Sequence, residues 1–140
     1  MTGAIQPGQR VLAVCTGNIC RSPFAEAFLA RQAQLRLLVG SAGTHALDGH
    51  PATQQAIRVA LEWGIDLSGH RARLLTADLA LAADHLIALT PVHARVAESL
   101  APAASGVAIH ELDVADPYGL GLEDYRACFE QIERNLEALL

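Results

Sequence analysis

Aromatic residues are scarce in this chain, 4% of 140 positions, with one Trp, two Tyr and three Phe. A core dominated by large rings is therefore excluded; abundant alanine points instead to a small-residue, helix-rich interior. Positive charge is also in short supply. Ten Lys and Arg against fifteen Asp and Glu leave a net charge of −5 and a pI of about 5.6. That balance argues against nucleic acid as a partner. No stretch approaches the roughly 20 apolar residues of a membrane span, and the start shows no charged segment followed by a long apolar one. No membrane insertion is expected, and a cytoplasmic location is. Cysteines number three, an odd count, and two of them share one short loop. This excludes a secreted disulfide scaffold and suits a reducing compartment. The six histidines form no metal-ligand pattern, so neither metal nor cofactor is expected.

What is present is the composition of an ordinary globular protein, 51% hydrophobic and 18% charged, in a length that suits one domain with one core. There are no repeats and no low-complexity linker, so a single domain over 1–140 is expected. Strand-like runs recur at Val11–Val14, Leu37–Gly40, His85–Leu89 and Val107–His110. Helix-like stretches lie between them at Pro23–Leu35, Ala52–Trp63 and Pro91–Leu100, and Leu122–Leu140 closes the chain with helically spaced Ile132, Leu136 and Leu139. Pro102 to Gly106 reads as a turn. This alternation predicts an α/β fold in three layers, a four-stranded parallel sheet flanked by helices. Ligands in such sheets bind beyond the carboxyl ends of the strands.

Cys15 stands at such an end. It opens the loop Cys15-Thr16-Gly17-Asn18-Ile19-Cys20-Arg21-Ser22, which runs into a helix start with Pro23 in its first turn. Main-chain N–H groups in a loop of this kind converge on one point, and the helix N-terminus adds partial positive charge. The result is a phosphate-sized anion site with a sulfur at its base. Oriented N–H groups and a nearby guanidinium favour the anionic sulfur, which is the nucleophilic form. Arg21 can grip two phosphate oxygens with its planar fork. Ser22 can donate to the sulfur and so help it leave later. Gly17 and Asn18 tolerate the positive φ that a tight loop demands. Competing readings fit less well. Cys15 and Cys20 have poor zinc spacing with no second pair near them. No Lys follows the glycine, so the nucleotide-binding loop motif fails. An inert buried cysteine remains the bland alternative.

Transfer of phosphate to sulfur leaves an oxygen that needs a proton, and a carboxylic acid over the site could give it. Asp116, in Asp116-Pro117-Tyr118-Gly119, is the best candidate, although in isolation that segment reads as a surface turn. Asp113 lacks the following proline. His70, taken alone, reads as a half-buried histidine with satisfied hydrogen bonds. His45 and His50 fall on a surface loop and receive no role. Arg71 and Arg73 form a local basic pair that reads as solvated or ion-paired. Cys128 reads as a packing residue in the last helix.

Val14 to Glu26 resembles the signature of the low-molecular-weight protein-tyrosine phosphatases. Ser41-Ala42-Gly43-Thr44-His45, Gly64 to Arg73, and Asp116 to Gly119 match further segments in the family's order. The resemblance spans almost the whole chain and looks like the bacterial type. It implies metal-free hydrolysis through a phosphocysteine on Cys15, with Arg21 binding phosphate and Asp116 as acid and then base. It implies that Ser41 and His70 hydrogen-bond the Asn18 side chain and keep the loop open. It implies that Cys20 lies close enough to Cys15 for a reversible, protective disulfide. As a partner it implies a phosphotyrosine protein, in bacteria a tyrosine kinase of polysaccharide export. A monomer or weak dimer is expected.

A sunken sulfur should favour long phosphotyrosine over short phosphoserine. Tyr118 is expected to line the entrance, with Leu47 as the only large apolar residue of the opposite wall, Ala46–His50. Three relatives in fold or loop compete. Protein-arginine phosphatases carry a Thr where Ile19 stands, and Ile cannot orient water. Arsenate reductases need further thiols, and residues 74–100 contain no cysteine. A non-catalytic phosphoprotein-binding module should have lost the nucleophile, the arginine or the acid, and all three are present.

Overall fold

Apolar residues alternate sides along β1 (Arg10–Cys15), and that alternation places the strand between two cores. Val11, Ala13 and Cys15 face one helix layer, whereas Leu12 and Val14 face the other. The structure, a computed structural model, describes residues 4–140. In it β1 pairs in parallel with β2 (Leu38–Gly43) and β3 (His85–Ala88), and β3 pairs in parallel with β4 (Ala108–Glu111). The order is β2-β1-β3-β4. All four carboxyl ends therefore lie at one edge of the molecule, and Cys15 ends the central β1 there.

One layer holds α1 (Arg21–Ala30), α2 (Gln54–Ala60) and α5 (Leu122–Glu137); the other holds α3 (Ala77–Ala82) and α4 (Pro91–Leu100). Three helices start on threonines that accept a main-chain N–H: Thr53 from Ala56, Thr76 from Leu79 and Thr90 from His93. By contrast α1 starts on Cys20, which gives no side-chain cap. Its first-turn donors are left for something else. Five of the six aromatic residues pack in the α1–α2–α5 layer. There Phe24 of α1 stacks on Phe129 of α5 at 4.1 Å between centroids, and Trp63 meets Phe24 edge-on. That contact fixes α1, and with it the loop that α1 terminates.

The described elements depart from the sequence expectation at several ends. The helix from the loop stops at Ala30 rather than Leu35, because the chain must turn back to enter β2. The second helix gives way to a 3-10 turn at Leu61–Trp63. β2 continues past Gly40 to Gly43, where it lies beside Cys15 in register. α3 was not expected: at six residues it is too short to carry a helical period.

β2 is an edge strand. Arg73 lies along it, donating from Nε to the Ser41 carbonyl at 2.9 Å. Its guanidinium rests where Gly40 has no side chain; a Cβ on Gly40 would stand 2.5 Å from Arg73 Nη2.

Candidate active site

The loop between β1 and α1 turns its carbonyls outward. Thr44 N–H donates to the Cys15 carbonyl, His45 N–H to Thr16 and Thr53 N–H to Ile19, and His70 Nε2 meets the Asn18 carbonyl at 2.7 Å. Since C=O and N–H point oppositely across a trans peptide, binding the carbonyls outside aims N–H groups at the centre. The close packing of Gly43 on this loop tolerates no side chain: a Cβ there would lie 2.4 Å from the Thr16 carbonyl oxygen.

Asn18 has φ 56° and is fully buried. A left-handed residue with a side chain is strained, so its surroundings must hold it. Its Nδ2 donates to Ser22 Oγ at 2.8 Å and Ser41 Oγ at 2.9 Å, and its Oδ1 accepts from Arg73 N–H at 3.0 Å. Ser41 in turn donates to Glu26 Oε1 at 2.5 Å. Two expectations are corrected here. His70 contacts the Asn18 main chain, not its side chain, and the third side-chain bond comes from Arg73 N–H. Gly17 does not take positive φ; Asn18 alone in the loop does.

Cys15 is buried, with Sγ 2.9 Å from Ser22 Oγ. Arg21 is 3% exposed. Its Nη1 donates to the Val114 carbonyl at 2.9 Å, and Nη2 lies 3.6 Å from Asp116 Oδ2. Its Nε is buried and has no partner among the described residues. An unpaired buried guanidinium donor is costly unless an acceptor enters, and this one belongs to a cationic group beside the loop's inward N–H groups. Asp116 Oδ1 also accepts from Tyr118 N–H at 3.0 Å, a local turn that sets the carboxylate toward the loop. Asp113 does not reach the cavity; it is exposed and its carbonyl accepts from Gln131.

Cys15, Thr16, Gly17, Ile19, Cys20, Arg21, Asp116 and Tyr118 line one cavity of about 180 Å³. Leu47 is not among its lining residues. It stands 65% exposed on the loop after β2. Burial pushes the Cys20 thiol far up, with the charges of Cys15 and Asp116 adding to the effect. Burial likewise raises Cys128 to about 12. Both stay protonated at neutral pH.

Sequence reasoning missed Glu26, the Arg73 main chain, the Val114 carbonyl and His93. Main-chain partners carry no sequence signal. Glu26 sits inside the signature, so its place was visible but its role was not. His93 is buried at 3% exposure, with Nε2 2.8 Å from Thr16 Oγ1 and Nδ1 2.9 Å from Thr90 Oγ1. Burial first, and then the Arg21 charge, lowers it to about 4. Among the described residues, no group of three His, Cys, Asp or Glu side chains could hold a metal ion. No helix among the described residues is long and apolar enough to cross a membrane.

This geometry has close counterparts. The chain is 39% identical over 133 residues to a probable low-molecular-weight protein-tyrosine-phosphatase, EpsP, of Ralstonia nicotianae, covering 91% of each. Its fold matches Vibrio vulnificus Wzb, solved with benzylphosphonate, at a TM-score of 0.84 and 31% identity over 93% of this chain and 95% of that one. It matches the YwlE arginine phosphatase of Geobacillus stearothermophilus equally well, at 0.84 and 34% identity over 94% and 90%. A family model described as low molecular weight phosphotyrosine protein phosphatase matches residues 10–140. The chain belongs to the low-molecular-weight phosphotyrosine protein phosphatase family.

Proposed function

We propose that this protein hydrolyses phosphotyrosine in proteins through a phosphocysteine. The Cys15 sulfur attacks phosphorus, and the bond from phosphorus to the tyrosine oxygen breaks. Asp116 gives that oxygen its proton. A water then attacks the phosphocysteine and loses a proton to Asp116, and phosphate leaves with Cys15 restored. Arg21 and the loop N–H groups hold the phosphoryl oxygens through both steps. Ser22, 2.9 Å from the sulfur, eases its departure. The observation that carries this reading is the cavity lined together by Cys15, Arg21 and Asp116, with Ser22 Oγ 2.9 Å from the sulfur.

Ile19 in the lining favours tyrosine over arginine as the phosphorylated side chain. An arginine phosphatase would want a hydroxyl there to direct water onto a phosphoramidate. Tyr118, 62% exposed, offers a ring face at the mouth. Cys20, buried beside Cys15, is the partner for a protective disulfide under oxidation. The physiological substrate we favour is a tyrosine kinase of polysaccharide export, met in the cytoplasm.

The test is phosphate release, without added metal, from phosphotyrosine, phosphoserine and phosphoarginine peptides by wild type and Cys15→Ser. Release from phosphotyrosine alone, abolished in the variant, is expected. Release mainly from phosphoarginine would move the assignment to the arginine class.

A further inference from the structure

His93 is a buried titratable residue that the proposed reaction leaves unused, yet it touches the phosphate loop. It lies in the first turn of α4, in the layer opposite α1, and reaches across to the first residue after the nucleophile. One tautomer satisfies all of its hydrogen bonds at once. Thr90 Oγ1 caps α4 by accepting from His93 N–H. The one proton Thr90 has to give finds His93 Nδ1 at 2.9 Å. A neutral ring that accepts at Nδ1 carries its proton on Nε2. In that tautomer Nε2–H donates to Thr16 Oγ1, 2.8 Å away. Burial and the Arg21 charge both keep the ring neutral. The Thr16 hydroxyl, already accepting from the ring, turns its own O–H elsewhere, and Thr16 lines the cavity.

We propose that His93 is a positioning residue that, from Thr90 through its own ring, orients the Thr16 hydroxyl as a donor to the phosphoryl group bound over Cys15. The inference rests on the phosphatase reading and extends it. Thr16 becomes a substrate-contacting side chain rather than only a stretch of loop backbone. His93 touches no substrate and acts only through Thr16. The arrangement differs from the Asn18 support: that network holds the shape of the loop, whereas the Thr90–His93–Thr16 chain sets the direction of a single proton.

The experiment measures competitive inhibition by inorganic phosphate, with kcat and KM for an aryl phosphate, in wild type, Thr16→Val, Thr16→Ser, His93→Leu, His93→Gln, His93→Asn and the Thr16→Val/His93→Leu pair. A hydrogen bond to a charged group is strong enough that Thr16→Val should weaken phosphate inhibition about tenfold, with Thr16→Ser close to wild type. His93→Leu should weaken it in the same direction, and the double variant no further than Thr16→Val alone. His93→Gln, whose amide reaches the Nε2 position, should recover more than His93→Asn, whose amide reaches only Nδ1. Thermal melts check that each variant folds; if His93→Leu does not, the Gln-against-Asn contrast and Thr16→Val decide. Unchanged phosphate inhibition in Thr16→Val overturns the proposal, as do losses that multiply in the double variant or a His93→Gln no better than His93→Asn. If wild type neither hydrolyses the ester nor binds phosphate, the phosphatase reading falls and takes this one with it. If wild type does both and Thr16→Val is unaltered, only the role of Thr16 and His93 falls.

Discussion

The two ends of the sheet both bury polar side chains, and they use them in opposite ways. At the carboxyl ends, Asn18, Ser22, Ser41 and Glu26 hold a loop whose N–H groups face inward, and a buried Arg21 Nε is left unpaired. Toward the amino ends, His85 opens β3, and His110, the third residue of β4, reaches back to it; the two rings stack and bond to each other, Nδ1 to Nε2, at 2.9 Å. His85 Nε2 continues to Gln9 Oε1 at 2.7 Å, and that oxygen also accepts from Gln6 N–H. Here the histidine pair closes on its own neighbours. The first end is built to receive an acceptor, and the second to need none. Buried polarity at one end serves binding, and at the other it serves folding.

Three changes would sharpen or break that contrast. The largest effect belongs to Asp116→Asn. Turnover of a poor leaving group such as phenyl phosphate should fall by about 10²–10⁴-fold, and that of an activated nitrophenyl ester far less. The melting temperature should hold, because Asp116 is half exposed and its pair with Arg21 is wide. Equal losses on both esters would remove Asp116 from the acid's role. Next comes Asn18. Asn18→Ala leaves buried groups unpaired and keeps the left-handed strain, so roughly 2–4 kcal/mol of stability should go, together with activity. Asn18→Gly relieves the strain and should regain stability but little activity; chemical denaturation beside kinetics separates the two. A glycine variant with full turnover would mean that the hydrogen bonds do not shape the site.

The smallest effect is at the amino ends and depends on pH. Burial lowers His85, and burial with the His85 charge lowers His110. The unfolded chain takes up these protons near pH 6.5, before the folded protein does. Stability from this pair is complete above that pH and drains away as pH falls through the folded values, by at most about 1.4 kcal/mol per pH unit for each ring. His93, held at about 4, drains in the same direction. Melting temperatures from pH 7 to 5 should decline, and less steeply in a His85→Gln/His110→Gln variant. An identical slope would mean that the amino-end pair carries no such linkage.

How much was legible follows from what each feature depends on. Short strand-like runs marked all four strands, because the inner strands of a parallel sheet are buried on both faces. The site was legible because Cys15, Arg21 and Asp116, which line one cavity, carry their chemistry on their own side chains. Support for Asn18 was legible only in part, since Arg73 contributes a main-chain N–H that any residue could offer. The exposure of Leu47 was not legible, because the exposure of a loop depends on tertiary packing. His93 was invisible because its link to Thr16 joins residues 77 apart in sequence.

Arg73 ties two distant hazards together. Its main chain props the strained asparagine, while its side chain blankets the free margin of β2, where an unguarded strand would invite pairing with another chain. Any strand adding there must first evict the guanidinium from its seat over Gly40. One residue thus stands guard over the sheet's margin with its side chain and steadies the loop with its main chain, so its two halves answer to different neighbours.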